Sequence, residues 1–341
     1  MDPMDFNLKD ITITVIGDFF LDKYLLIDPA LNEPSLETGL TAYQVVGKEL
    51  YPGGAGTVAK NLLALGLGRV ICVGVIGEDG EGMELAGELK KLGADLSGLI
   101  TTPIRQTCTY TKPVELINGA KHEINRLDFK NFTKTPEHIE DELKIKLIEA
   151  ARVSKAVIAV DQLNERNCGT ITEKIRLVLS NLSAQNPDLI VYGDSRKYIN
   201  EYQNIIIKCN NKEAVYQIHP GYTDENPPME LVKECGRMLY EKNKKTVFIT
   251  LGKDGMLVFD SIGSCTHVPG FLVEGEIDIC GAGDAATTGI VSALAMGKSP
   301  CEAALIGNAV ASVTIRQLGT TGTATLEQLT ETLTNGIRLI Y

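Results

Sequence analysis

Apolar positions along this chain fall into two spacings that take turns. Short runs that are apolar nearly throughout predict buried strands: ITITVIGD (11–18), RVICVGVIG (69–77), KAVIAVD (155–161), DLIVYGD (188–194), NIIIKCN (204–210) and the start of KTVFITLGKDG (245–255). Between them apolar residues recur at helical spacing, in GTVAKNLLALGLG (56–68), GMELAGELKKLGAD (82–95), TITEKIRLVLSNL (170–182), NKEAVYQI (211–218) and MELVKECGRMLYEKN (229–243). Two consecutive helices, about 283–296 and 300–317, are expected to close the chain. The charge-rich KTPEHIEDELKIK (134–146) reads as a solvated helix face. Such alternation predicts an α/β fold, a mostly parallel sheet with helices on both faces, whose ligands gather at the carboxyl ends of the strands.

Two segments interrupt the alternation. Residues 25–50 contain the strand-like TAYQVVGKEL, and residues 104–127 hold Asn118–Gly119 between two strand-like runs, a strong hairpin signal. Together they predict a small β-sheet lying as a lid over the site, with 11–24, 51–103 and 128–341 forming the α/β core. A free sheet edge has to be hidden, which makes a homodimer through the lid the expected assembly.

Composition narrows the partners. The 341 residues are 44% apolar, enough for a large core, and carry a formal charge of −11 with no run of lysine or arginine longer than a pair. Phosphate backbones require clustered cations, so a nucleic-acid partner is not expected. No apolar run has membrane-spanning length, and MDPMDFNLKD does not read as a signal peptide. The eight cysteines are scattered without C-x-x-C or zinc spacing, as in reduced cytoplasmic proteins.

The chemistry concentrates in CGAGDAA (280–286), where a carboxylate, Asp284, stands at a helix start that would favour a phosphate. The pattern also fits G-x-G-x-x-A, the fingerprint of a dinucleotide oxidoreductase. The preceding EGEIDI is short and acidic, the motif lies near the C-terminus, and Asp284 would repel a pyrophosphate. A plain helix cap by Asp284 is a second reading. A third makes sense of the carboxylate: the amides of Ala282, Gly283 and Asp284 hold a phosphoryl group in transfer while Asp284 accepts the proton of the attacking hydroxyl. Other motifs favour this third reading. YPGGAGTVAKNLLALG (51–66) offers bare backbone to a polyhydroxylated ligand, and GVIGEDGEG (74–82) is a glycine-punctuated turn after a strand. Asn210 and Glu213 of NNKE can organise water around Mg²⁺, and TLGKDG (250–255) ends a strand in a turn suited to phosphates.

In this order the motifs closely resemble the ribokinase-like (PfkB) family of sugar and nucleoside kinases, over about 11–323. Within it GDFFLDKY, YPGGAGTVAKNL, INRLDF, NNKE and LGTTGT look most like the heptose-7-phosphate kinase branch. The resemblance implies a three-layer α/β/α core with a β lid. It implies ATP and Mg²⁺, with a monovalent cation as a further candidate, and a sugar or sugar phosphate as substrate. It makes Asp284 the catalytic base and gives Gly281, Ala282 and Gly283 as the anion hole. Asp22, Gly53, Gly54 and Thr57 fall on the sugar-binding positions, with Lys112, Arg126 and Asp161 near the sugar end. Asn210 and Glu213 match the metal-water motif, while Thr250, Gly252, Gly255 and Asn308 fall at the nucleotide. Two departures stand out: Thr57 replaces the family's usual asparagine, and Cys280 its usual threonine. A sugar- and nucleotide-binding module without turnover remains the alternative of the same fold.

Overall fold

A computed structural model describes residues 6–319 and 321–337. The leaderless reading of the first five residues, Thr320 of LGTTGT and the last four residues of the expected core lie outside the described residues. The chain opens with β1 (Thr12–Gly17), β2 (Phe19–Ile27), β3 (Glu33–Pro34), β4 (Thr41–Ala42), β5 (Val45–Gly54), α1 (Ala55–Ala64), β6 (Arg69–Gly77), α2 (Gly80–Lys91) and β7 (Asp95–Thr102). It continues through β8 (Thr109–Ile117), β9 (Ala120–Glu123), β10 (Leu127–Phe129), α3 (Glu137–Ala151), β11 (Ala156–Asp161), α4 (Glu173–Gln185), β12 (Ile190–Ser195), β13 (Ile206–Asn210) and α5 (Asn211–Ile218). It ends with α6 (Met229–Asn243), β14 (Val247–Thr250), β15 (Met256–Phe259), β16 (Thr266–Val268), α7 (Ala282–Ala295), α8 (Pro300–Thr314) and α9 (Leu326–Ile337).

Nine strands form the main sheet in the order β16-β15-β14-β13-β12-β11-β1-β6-β7. The seven from β14 to β7 run parallel, and β15 and β16 add an antiparallel edge. Successive residues of a strand point to opposite faces, and in β11 both faces are covered. Ile158 and Val160 join the core with Leu62 of α1, Ile290 of α7 and Ile306 of α8, while Val157 and Ala159 join the core with Leu143 of α3, Ile175 of α4 and Val232 of α6. The stretch around 134–146 is therefore not solvated all round: Ile139, Leu143 and Leu147 face the core. A third helix, α9, follows the two expected to be last, and its Leu329 and Leu333 are buried in that first core. Strand β7 was not expected either. It escapes the apolar pattern because Gly98 replaces a core side chain where the backbone of Cys72 approaches closely.

The second sheet has the order β10-β8-β2-β5, with β9 paired to β8. The Asn118–Gly119 turn joins β8 and β9 with φ of +52° and +80°, and Ile117 pairs with Ala120, as a two-residue hairpin requires. The sheet does not coincide with 25–50 and 104–127: β2 and β5 pair from Phe19 opposite Gly54 onward, with a register shift at Leu26/Ile27, and β10 extends it to Phe129, whereas β3 and β4 within 25–50 pair only with each other. Asp22 and Gly53 are thus carried by the lid strands themselves.

Candidate active site

The parallel strands β1, β11, β12 and β13 end at Gly17, Asp161, Ser195 and Asn210, and the chemistry-bearing side chains gather beyond those ends. Helix α7 starts there too. Its N-cap, Gly281, takes φ of +78°, a conformation glycine adopts without cost, and no side chain caps the helix. The amide of Ala282 donates to Ile279 O at 3.1 Å, so this member of the expected anion hole is already used. The amides of Gly281, Gly283 and Asp284 have no partner among the described residues. Uncapped amides at a helix start are the donors an anion needs.

Asp284 stands in this first turn. Burial, then the charge of Asp194, pushes its carboxyl up to about 7, against the pull of Lys208 and Arg196. A carboxyl in that range exchanges its proton near neutrality. Facing it is a residue that motif reading missed. Lys208, in the middle of β13, is buried and pairs with Asp194 of β12 at 2.8 Å. Asp194 also accepts from Thr287 Oγ1 of α7 at 2.9 Å, which ties the helix to the sheet. A Cβ on Gly283 would lie 3.3 Å from Lys208 Nζ, so the cation adjoins the helix start. Burial pulls the Lys208 ammonium down, but Asp194, Glu213 and Asp284 together hold it above its ordinary value. The available signal was a lysine inside the apolar run NIIIKCN, since a charge in a buried strand needs partners.

Asp22 projects from β2 on the lid side. Gly53 leaves its face open, since a Cβ there would come within 2.6 Å of Asp22 Oδ2. Gly54, at φ of +58°, turns β5 into α1, where a Cβ would meet Asp18 O at 2.5 Å. Burial raises the Asp22 carboxyl, opposed by the positive charges of Lys112, Arg126, Arg196 and Lys60. Lys112 Nζ donates to the Tyr24 hydroxyl at 3.0 Å, and Arg126 stacks 4.5 Å from the Tyr110 ring centroid while pairing with Asp128. Lys60 reaches Thr321 O at 2.7 Å.

Three expected ligands are turned inward instead. Thr57 is buried and its hydroxyl donates to Pro52 O at 3.2 Å, so only its methyl faces the Gly281 turn. Asp161 is buried against Arg176 at 3.2 Å and Ser195 Oγ at 3.0 Å, and burial and then the charge of Asp18 push it up to about 7. Its carboxylate holds strand ends together rather than facing the lid. Asn308 donates to Val268 O and Pro269 O at 3.2 and 3.0 Å, positioning that segment with its side chain already engaged.

At the start of α5, Asn210 and Glu213 form a reciprocal cap: Asn210 Oδ1 accepts from Glu213 N and Glu213 Oε2 from Asn210 N, both at 2.8 Å. Thr250 stands beside Asn210 in register, and Gly252 and Gly255 shape the following turn with φ of +63° and +90°. Glu213 is raised by burial and by Asp194. Lys208 pairs with Asp194, and the negative charges of Glu213 and Asp284 also act on it. That excess of negative charge fits a divalent cation. Among the described residues no three acidic, histidine or cysteine side chains converge as a metal cage. The donor set fits Mg²⁺ held through its waters and through phosphates.

Among the described residues no helix is long and apolar enough to cross a membrane. The model of the pfkB family carbohydrate kinases matches residues 19–327. The chain is 28% identical over 319 residues to the bifunctional protein HldE of Bradyrhizobium diazoefficiens, covering 93% of this chain and 62% of that protein. It is 29% identical to HldE of Nitratiruptor over 322 residues, 94% of this chain and 64% of that one. It therefore spans under two thirds of the length of these relatives. Among solved structures it resembles the ribokinase of Thermotoga maritima (TM-score 0.67, 22% identity, 95% of this chain and 100% of that chain). It also resembles the phosphofructokinase-2 of Escherichia coli in complex with potassium (TM-score 0.73, 18% identity, 96% of this chain and 100% of that chain). With its lid, its uncapped helix start and the carboxylate beside it, this chain belongs to the pfkB family of carbohydrate kinases, phosphotransferases that use ATP to phosphorylate an alcohol group.

Proposed function

We propose that the protein phosphorylates a hydroxyl of a sugar phosphate, with a heptose 7-phosphate as the leading acceptor. The observation that carries this reading is the surplus of positive charge around Asp22. Lys60 and Lys112 have no carboxylate partner at ion-pair distance among the described residues, although the chain as a whole is at −11. A neutral sugar needs Asp22 for its hydroxyls but leaves those cations unmatched; a phosphorylated sugar uses both. Asp22 orients the acceptor from the lid. The amides of Gly283 and Asp284 hold the γ-phosphoryl oxygens, Lys208 supplies positive charge beside them, and Asp284 takes the hydroxyl proton. The O–P bond to the acceptor forms as the bond to the β-phosphate oxygen breaks, and ADP leaves. Asn210 and Glu213 would hold Mg²⁺ through its waters, where it would neutralise phosphate charge. Lid closure excludes water from the γ-phosphate.

The exposed Val45, Val46, Leu127 and Phe129 on the outer lid strands support a homodimer formed through the lid, testable by light scattering. A monovalent cation as a further ligand and a cytoplasmic place, beside the ATP supply, belong to the same proposal. The decisive experiment is an ADP-release assay with ATP and Mg²⁺ over matched free sugars and sugar phosphates, heptose 7-phosphate included. Turnover of a sugar phosphate at least tenfold better than of its free sugar is expected. Preference for free sugars overturns the acceptor class.

A further inference from the structure

We infer that Arg105 is a positioning residue, whose buried guanidinium seats the lid on the core and so sets where Asp22 and Lys112 meet the acceptor. This deepens the kinase reading above and rests on it. The chain crosses between core and lid four times: at Asp18 from β1 to β2, at Gly54 from β5 to α1, over 103–108 from β7 to β8, and over 130–136 from β10 to α3. Two buried charges, Asp18 and Arg105, gather these crossings onto the loop 162–170 that follows β11. Asp18 is itself the first crossing. Its carbonyl accepts from Ala55 N at 3.0 Å at the second crossing. Its carboxylate accepts from the loop amides of Thr170, Gln162 and Leu163 at 2.7, 3.2 and 3.3 Å. Arg105 belongs to the third crossing. Its guanidinium donates to Thr133 O and Lys134 O of the fourth at 3.1 and 3.4 Å, and to Cys168 O of the loop. Thr135 adds two bonds to the loop, from its N–H to Asn167 O at 2.8 Å and from Oγ1 to Gly169 O at 2.7 Å.

Neither charge has an ion-pair partner among the described residues; each is spent on backbone groups of segments far apart in the chain. A buried charge is costly unless hydrogen bonds satisfy it, so the two ions hold those segments in place. Close packing does not do this instead. A cavity lies at the joint, lined by Asp18, Arg105 and Thr135 from the crossings and by Leu163, Cys168 and Thr170 from the loop. The joint leads directly to the acceptor. Three residues after Arg105, Cys108 O accepts from Leu21 N at 2.9 Å. From there β8 runs beside β2, with Tyr110 opposite Asp22 and Lys112 opposite Tyr24. By fixing the start of β8, Arg105 therefore fixes the carboxylate and the ammonium proposed to hold the acceptor, relative to α7 of the core. Without the guanidinium, β8 and with it β2 are free to shift. The acceptor hydroxyl then loses its alignment with the γ-phosphate, and water can take the phosphoryl group instead, giving ADP and inorganic phosphate.

The test measures ADP and phosphorylated acceptor in the same reaction, for wild type, Arg105→Met, Arg105→Lys and Thr135→Val. Leu239→Ala, in the core side of α6, controls for lost stability alone. Wild type is expected to form ADP and phosphorylated acceptor in equal amounts. Arg105→Met is expected to lower kcat for transfer by about 10–10²-fold and to release at least about threefold more ADP than product, with the KM for ATP changed by less than about threefold. Arg105→Lys keeps the charge without the planar fork, and Thr135→Val loses a single hydroxyl bond. Both are expected to fold and to shift the ratio in the same direction by less, and they decide the matter if Arg105→Met does not fold. Equal amounts of ADP and product in every folded variant, or an excess of ADP as large in Leu239→Ala, overturn the inference, since a role in stability alone lowers transfer and ADP release together. A wild type that phosphorylates no sugar or sugar phosphate overturns instead the reading on which it rests.

Discussion

Asp284→Asn keeps the shape of the side chain and removes its charge, and two opposite consequences follow. Burial beside Asp194 moves this carboxyl from 3.8 up to about 7. That displacement corresponds to about 4 kcal/mol, and to roughly 2 kcal/mol once solvent at the partly open site is allowed for. The sign follows from proton binding. Between pH 4 and pH 7 the folded chain holds a proton that the unfolded chain has released, so stability is full below about pH 4 and is lost as the pH rises through 7. Asparagine cannot ionise and escapes the loss. The variant should therefore melt about 3 °C above wild type at pH 8. The advantage should shrink steadily toward pH 4. Turnover should fall by about 10²–10⁴ over the same comparison. Wild-type kcat/KM should decline below pH 7 as Asp284 takes up its proton. Thermal scans and initial rates from pH 5 to pH 8.5 on both proteins give the answer. A variant less stable than wild type at pH 8 would refute the electrostatic argument, and near-wild-type turnover would refute the role of base.

Three further outcomes are expected. Gly53→Ala places a Cβ 2.6 Å from Asp22 Oδ2, so the acceptor KM should rise at least tenfold with ATP affinity little changed; equal KM values would remove Asp22 from the acceptor site. Lys208→Met strands the buried Asp194, costing about 3–5 kcal/mol in denaturant unfolding. Lys208→Met combined with Asp194→Leu should recover part of that stability without recovering turnover, and a single variant as stable as wild type would contradict the buried pair. Hydrogen exchange across 114–124 should slow on adding the true acceptor and less on adding ATP alone; indifference to every ligand would mean that β8 and β9 do not close over the site.

The apolar spacing was enough to predict the parallel strands β1, β6 and β11 to β14, because each is held between two helical layers and must be apolar on both sides. Glycines at 53, 54, 281, 252 and 255 were legible for a similar local reason: a bare or left-handed backbone is a property of the residue itself, and four of the five have positive φ. Asn118–Gly119 likewise announced its hairpin. Strands at the edge carry a weaker signal. In β7 the glycine at 98 fits the neighbouring backbone rather than a pattern, and β15 and β16 form a short antiparallel end that no alternation with helices announces. The uses of single side chains were set at longer range still. Thr57, Asp161 and Asn308 carry groups able to bind a ligand, but which way each turns depends on a carbonyl or guanidinium brought alongside by packing. Lys208 and Asp194 are the clearest case. Nothing near either residue in the chain explains a charge inside an apolar strand; only the adjacency of β12 and β13, in that register, makes them a pair, and only α7, tied to Asp194 through Thr287, brings the pair beside the uncapped helix start.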